Sequence, residues 1–269
     1  MTTTSHSEPV IVADDLQLTF TQGKRTTRAM DHVSFTVERG TTLALVGQSG
    51  SGKTTTARTV LGLQRPDSGV VRVCGQDVHA LKRTELQKLW RRIQVVLQDP
   101  FGQLNRRHTV QRIIEGPMVA HGYLDTAGRA RRAAELGDAV GLTVAQLGRK
   151  PQELSGGQCQ RVAIARALAV NPEVVVLDEA VSALDVSVRA QILNLLSRLQ
   201  RDIGLTYLFI THDLAVARYM SHNIAVMNAG RIVEYAPREQ LFASPRDPYT
   251  RALLAAIPQG IDRKGPADV

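Results

Sequence analysis

Apolar and polar positions along this chain change period several times, and each change predicts an element. Ile11 to Phe20 alternate weakly with period two, as do His32 to Val37, and each run reads as a strand with one buried face. The polar stretch Thr21 to Arg28 between them predicts a turn. Thr42 to Val46 is a short apolar run suited to a parallel strand covered on both faces. Gly47 to Gly52 breaks that run, and Lys53 to Leu63 then places Ala57, Val60 and Leu61 on one helical face. Gln64 to Gly69 is a turn cluster, and Val70 to Cys74 reads as a strand with a buried thiol at its end. Thr84 to Arg92 predicts a helix, and Ile93 to Leu97 a strand that ends at Gln98.

From Asp99 to about Val170 the strand signal disappears. Helical patterns separated by Gly, Pro and polar joints predict a helical subdomain inserted into a sheet domain. The sheet resumes at Val174 to Leu177. A helix over Ser187 to Arg201 then carries Ile192, Leu195, Leu196 and Leu199, and a strand follows over Thr206 to Thr211. Ile224 to Met227 and Arg231 to Glu234 flank Asn228-Ala229-Gly230, a hairpin pattern.

Composition narrows the class. A chain of 269 residues with 43% apolar content can bury a substantial core as one large domain or two closely packed ones. No run reaches the roughly 18 to 20 apolar residues that cross a bilayer. The polar start, Met1 to Pro9, lacks the apolar segment of a signal peptide and is expected to be a disordered tail. A second flexible tail is expected from Gln259 to Val269. Cys74 and Cys159 form no metal-ligand spacing, and few cysteines without an export signal point to the cytoplasm. The net charge of +8 is compatible with nucleic acid, anionic headgroups or nucleotide. Its densest patches, Arg91-Arg92, Arg106-Arg107 and Arg129 to Arg132, are dispersed solvated faces. An aromatic content of 4% argues against stacking platforms for single strands.

Three segments carry chemistry. Gly47-Gln48-Ser49-Gly50-Ser51-Gly52-Lys53-Thr54 has the P-loop pattern, in which glycines let backbone amides turn inward around phosphates. The helix after it directs its positive end at the same anion, Lys53 adds a mobile cation, and Thr54 offers a hard oxygen suited to Mg²⁺. Glu173 to Glu179 is an apolar strand from whose carboxyl end Asp178 and Glu179 emerge, where α/β sheets place ligands. Asp178 can hold Mg²⁺, and Glu179 can polarise a water as general base. Leu154-Ser155-Gly156-Gly157-Gln158 opens a helix over Gln160 to Val170, with Ser155 as N-cap and two glycines exposing amides to an anion.

These three segments, in this order, resemble the ATP-binding-cassette (ABC) ATPases over roughly Val10 to Pro258. The resemblance implies an α/β P-loop NTPase fold, with a mixed-sheet core, an antiparallel β subdomain and an inserted helical subdomain at about residues 99–170. It implies ATP and Mg²⁺ as ligands. The nucleotide contacts would come from Gly47 to Thr54 with adjoining Thr55, and from Phe20, which resembles the aromatic that stacks on adenine. Gln98 resembles the Q-loop glutamine that contacts Mg²⁺ and water. Ser182 to Asp185 resemble the D-loop that crosses the dimer interface, and His212 resembles the switch histidine at the γ-phosphate. In that family Ser155 to Gln158 of one subunit close over the nucleotide of another.

The likeness narrows further. Gln98 to Asn105, and Ala236-Pro237 followed by Ser244 to Leu254, look like the oligopeptide/dipeptide/nickel importer ATPases. The implied partners are a second identical or sister ATPase, two transmembrane permease subunits and, indirectly, an extracytoplasmic solute-binding protein, with no nucleic acid. The implied place is the cytoplasmic face of a bacterial membrane. A cassette that clamps nucleic acid or the ribosome, and an exporter subunit, remain the alternatives. The paired cassettes, coiled coils or zinc cysteines common in the clamping relatives are not found in this sequence.

Two positions and one short segment depart from the pattern. Ala180 replaces the usual proline after the catalytic Glu, with no expected loss of chemistry, and Asn105 to His108 replace Asn-Pro-Arg-Met. Cys159 replaces a basic residue after the signature turn, which predicts weaker contact with nucleotide charge. No cysteine follows Cys159, so no iron–sulfur cluster is expected.

Overall fold

Two long strands open the fold. The computed structural model describes residues 8–23 and 25–256. The expected tails therefore lie outside the described residues, except that Pro9 already pairs with Glu38. The chain divides into two units, one built from the segments up to Lys82 and from Thr206 onward, the other from Arg83–Leu205.

In the first unit β1 (Pro9–Gln22) and β2 (Arg25–Glu38) run antiparallel. Both extend through the stretch whose polarity predicts a turn, because Thr19 to Gln22 pair with Arg25 to Arg28. The alternation of β1 is weak in sequence for a local reason. Ile11 and Ala13 are buried, and so are Leu16 and Leu18, which have the opposite parity. A register shift between Ala13 and Leu16, with Asp15 at φ 49°, reconciles the two sets as a bulge does. β4 (Ser68–Val73) and the two-residue β5 (Gln76–Asp77) complete an antiparallel sheet in the order β2-β1-β4-β5. Cys74 lies just past β4, in the left-handed region at φ 51° and only half-buried, so it is a turn residue and not a core thiol.

β3 (Thr42–Val46) is buried at every position and leads through the glycine loop into α1 (Lys53–Val60). The helix stops before Leu63 because Gly62 turns left-handed at φ 72°, and the Leu63 amide folds back to the Arg58 carbonyl at 2.8 Å.

The second unit holds α2 (Arg83–Arg92) and β6 (Ile93–Val96), followed by a helical stretch. This stretch comprises α3 (Val110–Ala120), α4 (Thr126–Ala139), α5 (Val144–Leu147), a 3-10 turn and α6 (Gly156–Leu168). The N-caps explain its segmentation: Thr109, Asp125, Thr143 and Ser155 each accept a first-turn amide. Among the described residues, 99–170 contain no strand. β7 (Val174–Asp178) then pairs parallel with β6, and α7 (Val186–Ile203) ends at Gly204.

The chain returns to the first unit as β8 (Thr206–Thr211), α8 (Leu214–Met220), β9 (Asn223–Asn228), β10 (Arg231–Pro237), α9 (Arg238–Ala243) and α10 (Pro248–Ala255). β3 lies between β8 and β9, parallel to both, and β9 with β10 forms the expected hairpin. The result is a mixed sheet whose parallel strands end at the glycine loop.

Candidate functional site

The glycine loop is wedged against its neighbours in the first unit. A Cβ on Gly47 would lie 2.1 Å from the Met227 carbonyl oxygen. On Gly52, at φ 108°, it would lie 2.2 Å from the Ala29 carbonyl and 2.6 Å from Met227 Cε. Gly50, at φ 79°, faces open space instead, with nothing within 4 Å of the Cβ it lacks. The outer wall is fixed by hydrogen bonds: the Gly230 amide donates to the Ser51 carbonyl at 3.0 Å, and the Asp31 amide to the Gly230 carbonyl at 2.8 Å. The nearly buried carboxylate of Asp31 accepts from Arg231, and from Arg28 at 2.9 Å. The Arg231 hydrogen bond and charge, with help from Arg28, hold the Asp31 carboxyl below the usual carboxylate range.

Lys53 is only 4% exposed, and its ammonium donates to the carbonyls of Gly47 and Gln48, both at 2.8 Å. The ammonium thus sits inside the loop on neutral oxygens. Gly52 at the head of α1 provides no side-chain cap, so the positive end of that helix opens onto the same space. Buried cation, uncapped helix and an unfilled glycine concavity together form an anion site. Ser49 and Thr54 are exposed at its rim and Thr55 is half-buried behind it. Phe20 is 45% exposed near the end of β1, so it is not a core residue and its ring has a face to offer a planar ligand. His212 also belongs here. Val46 pairs with Thr211, so Gly47 and His212 leave the carboxyl ends of adjacent parallel strands side by side.

The second unit brings another set together. Val96 pairs with Leu177, so Gln98 and Glu179 emerge level with each other just past β6 and β7. Asp178 and Glu179 are half-buried. Glu179 adopts φ 49°, a left-handed conformation that costs a non-glycine residue about 1–2 kcal/mol. Ser182 secures it, donating to the Glu179 carbonyl from its amide at 3.1 Å and its hydroxyl at 2.8 Å. Gln98 is exposed, but the residue before it is held: Gln103 bonds both the amide and the carbonyl of Leu97, and Arg166 of α6 donates twice to Gln103.

Ser155 and Gln158 form a reciprocal capping box, with the Ser155 amide on Gln158 Oε1 at 3.0 Å and the Gln158 amide on Ser155 Oγ at 3.3 Å. Gly157 is fixed by packing, since a Cβ there would lie 2.4 Å from Val188 of α7. A Cβ on Gly156 would lie 3.9 Å from Leu184, so the signature turn sits beside the segment ending at exposed Asp185. Cys159 is fully buried, its thiol donates to the Pro151 carbonyl at 3.4 Å, and burial pushes its pKa up to about 11.

By type, Thr54 in the first unit, and Gln98 and Asp178 in the second, each offer a hard oxygen of the kind Mg²⁺ takes. The sequence reading missed Asp31, Gln103, Arg166 and Arg231, which hold functional segments from outside the motifs. It could have found Gln103, a polar residue inside the run Gln98 to Asn105, but the others are single charges in ordinary elements.

Comparison with known proteins identifies the family. The ABC transporter family matches residues 30–182, and a second family, oligopeptide/dipeptide transporter, C-terminal region, matches residues 233–266. The glutathione import ATP-binding protein GsiA of Escherichia coli (strain K12) is 50% identical over 234 residues, which cover 87% of this chain and 38% of that protein. The probable peptide ABC transporter ATP-binding protein y4tS of Sinorhizobium fredii (strain NBRC 101917 / NGR234) is 51% identical over 231 residues, 86% of this chain and 65% of that protein. The chain thus spans only 38% and 65% of the length of these two curated relatives. Among solved structures, the dimeric post-hydrolysis state of the ATP-binding cassette MJ0796 bound to ADP and Pi superposes with TM-score 0.77 at 31% identity. It covers 85% of this chain and 98% of that one. The cbiO1 protein of Clostridium perfringens, part of the ABC transporter complex cbiONQ, gives TM-score 0.78 at 26% identity over 93% and 96% of the two chains.

Proposed function

The chain belongs to the ABC transporter family, and from that premise we propose that it is the ATP-hydrolysing subunit of an importer for peptides, glutathione-like peptides included. The observation that carries the reading is the pairing of two matches on one chain, the cassette over residues 30–182 and the oligopeptide/dipeptide C-terminal region over residues 233–266. Nickel or another small solute is the second choice of cargo, because the solute-binding protein and permease choose it.

In this reading the anion site around Lys53 takes the triphosphate. The loop amides from Ser49 to Thr55 and the end of α1 neutralise its charge without reorganising, and Phe20 stacks on the base. Mg²⁺, held by Thr54, Asp178 and Gln98, supplies charge neutralisation at the phosphate oxygens. Glu179 polarises the attacking water, and His212 contacts the terminal phosphate. Ser155, Gly156, Gly157 and Gln158 of a second cassette, with Asp185 beside them, close over the nucleotide. The γ-phosphate favours the closed pair, and its loss on hydrolysis opens it. The helical stretch at about residues 99–170 and the Gln98 region receive a short helix from a membrane-embedded permease, one of two such subunits in the assembly, at the cytoplasmic face of the membrane, and so convert that motion into transport. No helix among the described residues is long and apolar enough to cross a membrane itself.

Glu179→Gln tests the chemistry. ATP turnover should fall about a hundredfold or more while MgATP still binds, as expected for loss of a general base. Turnover at the wild-type rate removes Glu179 from this role.

A further inference from the structure

The C-terminal region reaches back to the glycine loop. Tyr249, the second residue of α10, accepts a hydrogen bond through its hydroxyl oxygen from the Gln48 amide at 3.3 Å. That amide belongs to the peptide group that joins Gly47 to Gln48. The carbonyl of the same peptide accepts from the Lys53 ammonium at 2.8 Å. A peptide group is rigid and planar, so its carbonyl and amide cannot reorient separately. Tyr249 and Lys53 therefore hold opposite edges of one plate.

α10 is well placed to act as a fixed post. Glu234 of β10 is 9% exposed and accepts the Arg246 and Asp247 amides at 2.9 and 3.0 Å, which anchors the entry to the helix. Asp247 then caps the helix on the Tyr249 amide at 2.8 Å, and Pro248 starts it. Tyr249, Leu253 and Leu254 pack on a cluster that includes Ala44 and Val46 of β3, the strand that delivers the loop.

We propose that Tyr249 is a positioning residue through which the C-terminal region sets the nucleotide affinity of the glycine loop. Its hydroxyl fixes the Gly47–Gln48 peptide in the orientation that anchors Lys53, whose ammonium donates to the Gly47 and Gln48 carbonyls and to the Ser51 hydroxyl, so the cation is held within the loop beside the phosphate site. A partner that shifts α10 loosens the loop. By reciprocity, nucleotide on the loop tightens α10. The inference rests on the reading above that this loop takes a magnesium nucleotide.

MgADP titration of the full chain by calorimetry tests it without turnover. Tyr249→Phe keeps the ring packing and removes only the acceptor. It should weaken MgADP binding about threefold, the effect of one exposed neutral hydrogen bond, with the melting temperature essentially unchanged. Tyr235→Phe removes a hydroxyl of the same kind that bonds the Thr36 carbonyl, on a strand β10 residue, and should leave the affinity unchanged. Amide exchange supplies the reverse measurement: MgADP should slow exchange over residues 248–255 in the wild type and not in Tyr249→Phe. Equal affinities for Tyr249→Phe and wild type, or α10 exchange indifferent to MgADP, overturn the proposal while leaving the nucleotide site intact. Failure of the wild type to bind MgADP overturns the underlying reading instead, and this inference with it.

Discussion

Arg166 holds Gln103 by two hydrogen bonds from one guanidinium, to the backbone carbonyl at 2.6 Å and to the side-chain oxygen at 2.9 Å. Gln103 in turn takes the amide and carbonyl of Leu97, so a helix that begins at the signature turn fixes the residue directly before Gln98. Lysine cannot reproduce the planar fork. Arg166→Lys should destabilise the protein by about 1–3 kcal/mol, the range for hydrogen bonds from a charged donor. Because Gln98 loses its support, kcat for ATP should fall by roughly tenfold with KM changed much less, as expected when a positioned group drifts without loss of binding contacts. Steady-state kinetics and urea melts read the two effects separately. A variant that loses stability but keeps kcat would show that the clamp is structural only.

The glycine loop contains two left-handed glycines with opposite surroundings, and they should respond differently to one added methyl. At Gly52 a Cβ would enter the Ala29 carbonyl at 2.2 Å, so strand β2 or the loop must move. At Gly50 it would meet nothing within 4 Å, which leaves only the conformational penalty of about 1–2 kcal/mol. Gly50→Ala should therefore remain folded while obstructing the concavity, with nucleotide binding lost at little cost in stability. Gly52→Ala should lose distinctly more stability, as steric overlap adds to strain. Urea unfolding of both variants, beside MgADP titration, checks the order, and equal destabilisation would contradict the packing described.

The strand–loop–helix around Lys53 was legible because an apolar run, a glycine cluster and a helical period follow one another without interruption. The helical stretch after Asp99 was legible for the complementary reason that its caps and joints leave no alternating segment. Less visible was whatever depends on polar residues doing ordinary work in strands. Arg25 to Arg28 read as turn, yet they pair with Thr19 to Gln22 in the ladder. The bulge at Asp15 scrambles the parity of β1 and weakens its pattern. Cys159 stands where the resemblance expects a basic residue, and in α6 its side chain is fully buried. Tyr249 and Gln48 are separated by 201 positions, and no local pattern joins them. The motifs thus marked the residues proposed to meet the nucleotide. The residues that hold them still were set by tertiary pairing, which a single sequence does not display.

His222 gives the fold a pH dependence with a definite sign. Its Nδ1 accepts the Thr42 amide at 3.0 Å, at the start of β3, and only a neutral ring nitrogen can do so. Burial first, then the charge of Arg238, holds its pKa below the ordinary value of 6.5. Above pH 6.5 the ring is neutral in both folded and unfolded chains, so stability is fully present. As pH falls below 6.5 the unfolded chain takes up a proton before the folded one does, and stability declines until the lower folded pKa is passed. His79, shifted down by burial, and His121, shifted down by burial and Arg91, act in the same direction. Asp31 and Glu234 have pKa values below the carboxylate range and titrate at more acidic pH, outside this window. Because much of the His222 residue is exposed, its share should be well under the ~1.4 kcal/mol per pH unit of a fully buried proton site. His222→Asn keeps an acceptor near Nδ1 and removes the titration, so its urea midpoint should fall less than that of wild type between pH 7 and pH 5.5. Parallel pH profiles for the two proteins would place the histidine contribution at His79 and His121 instead.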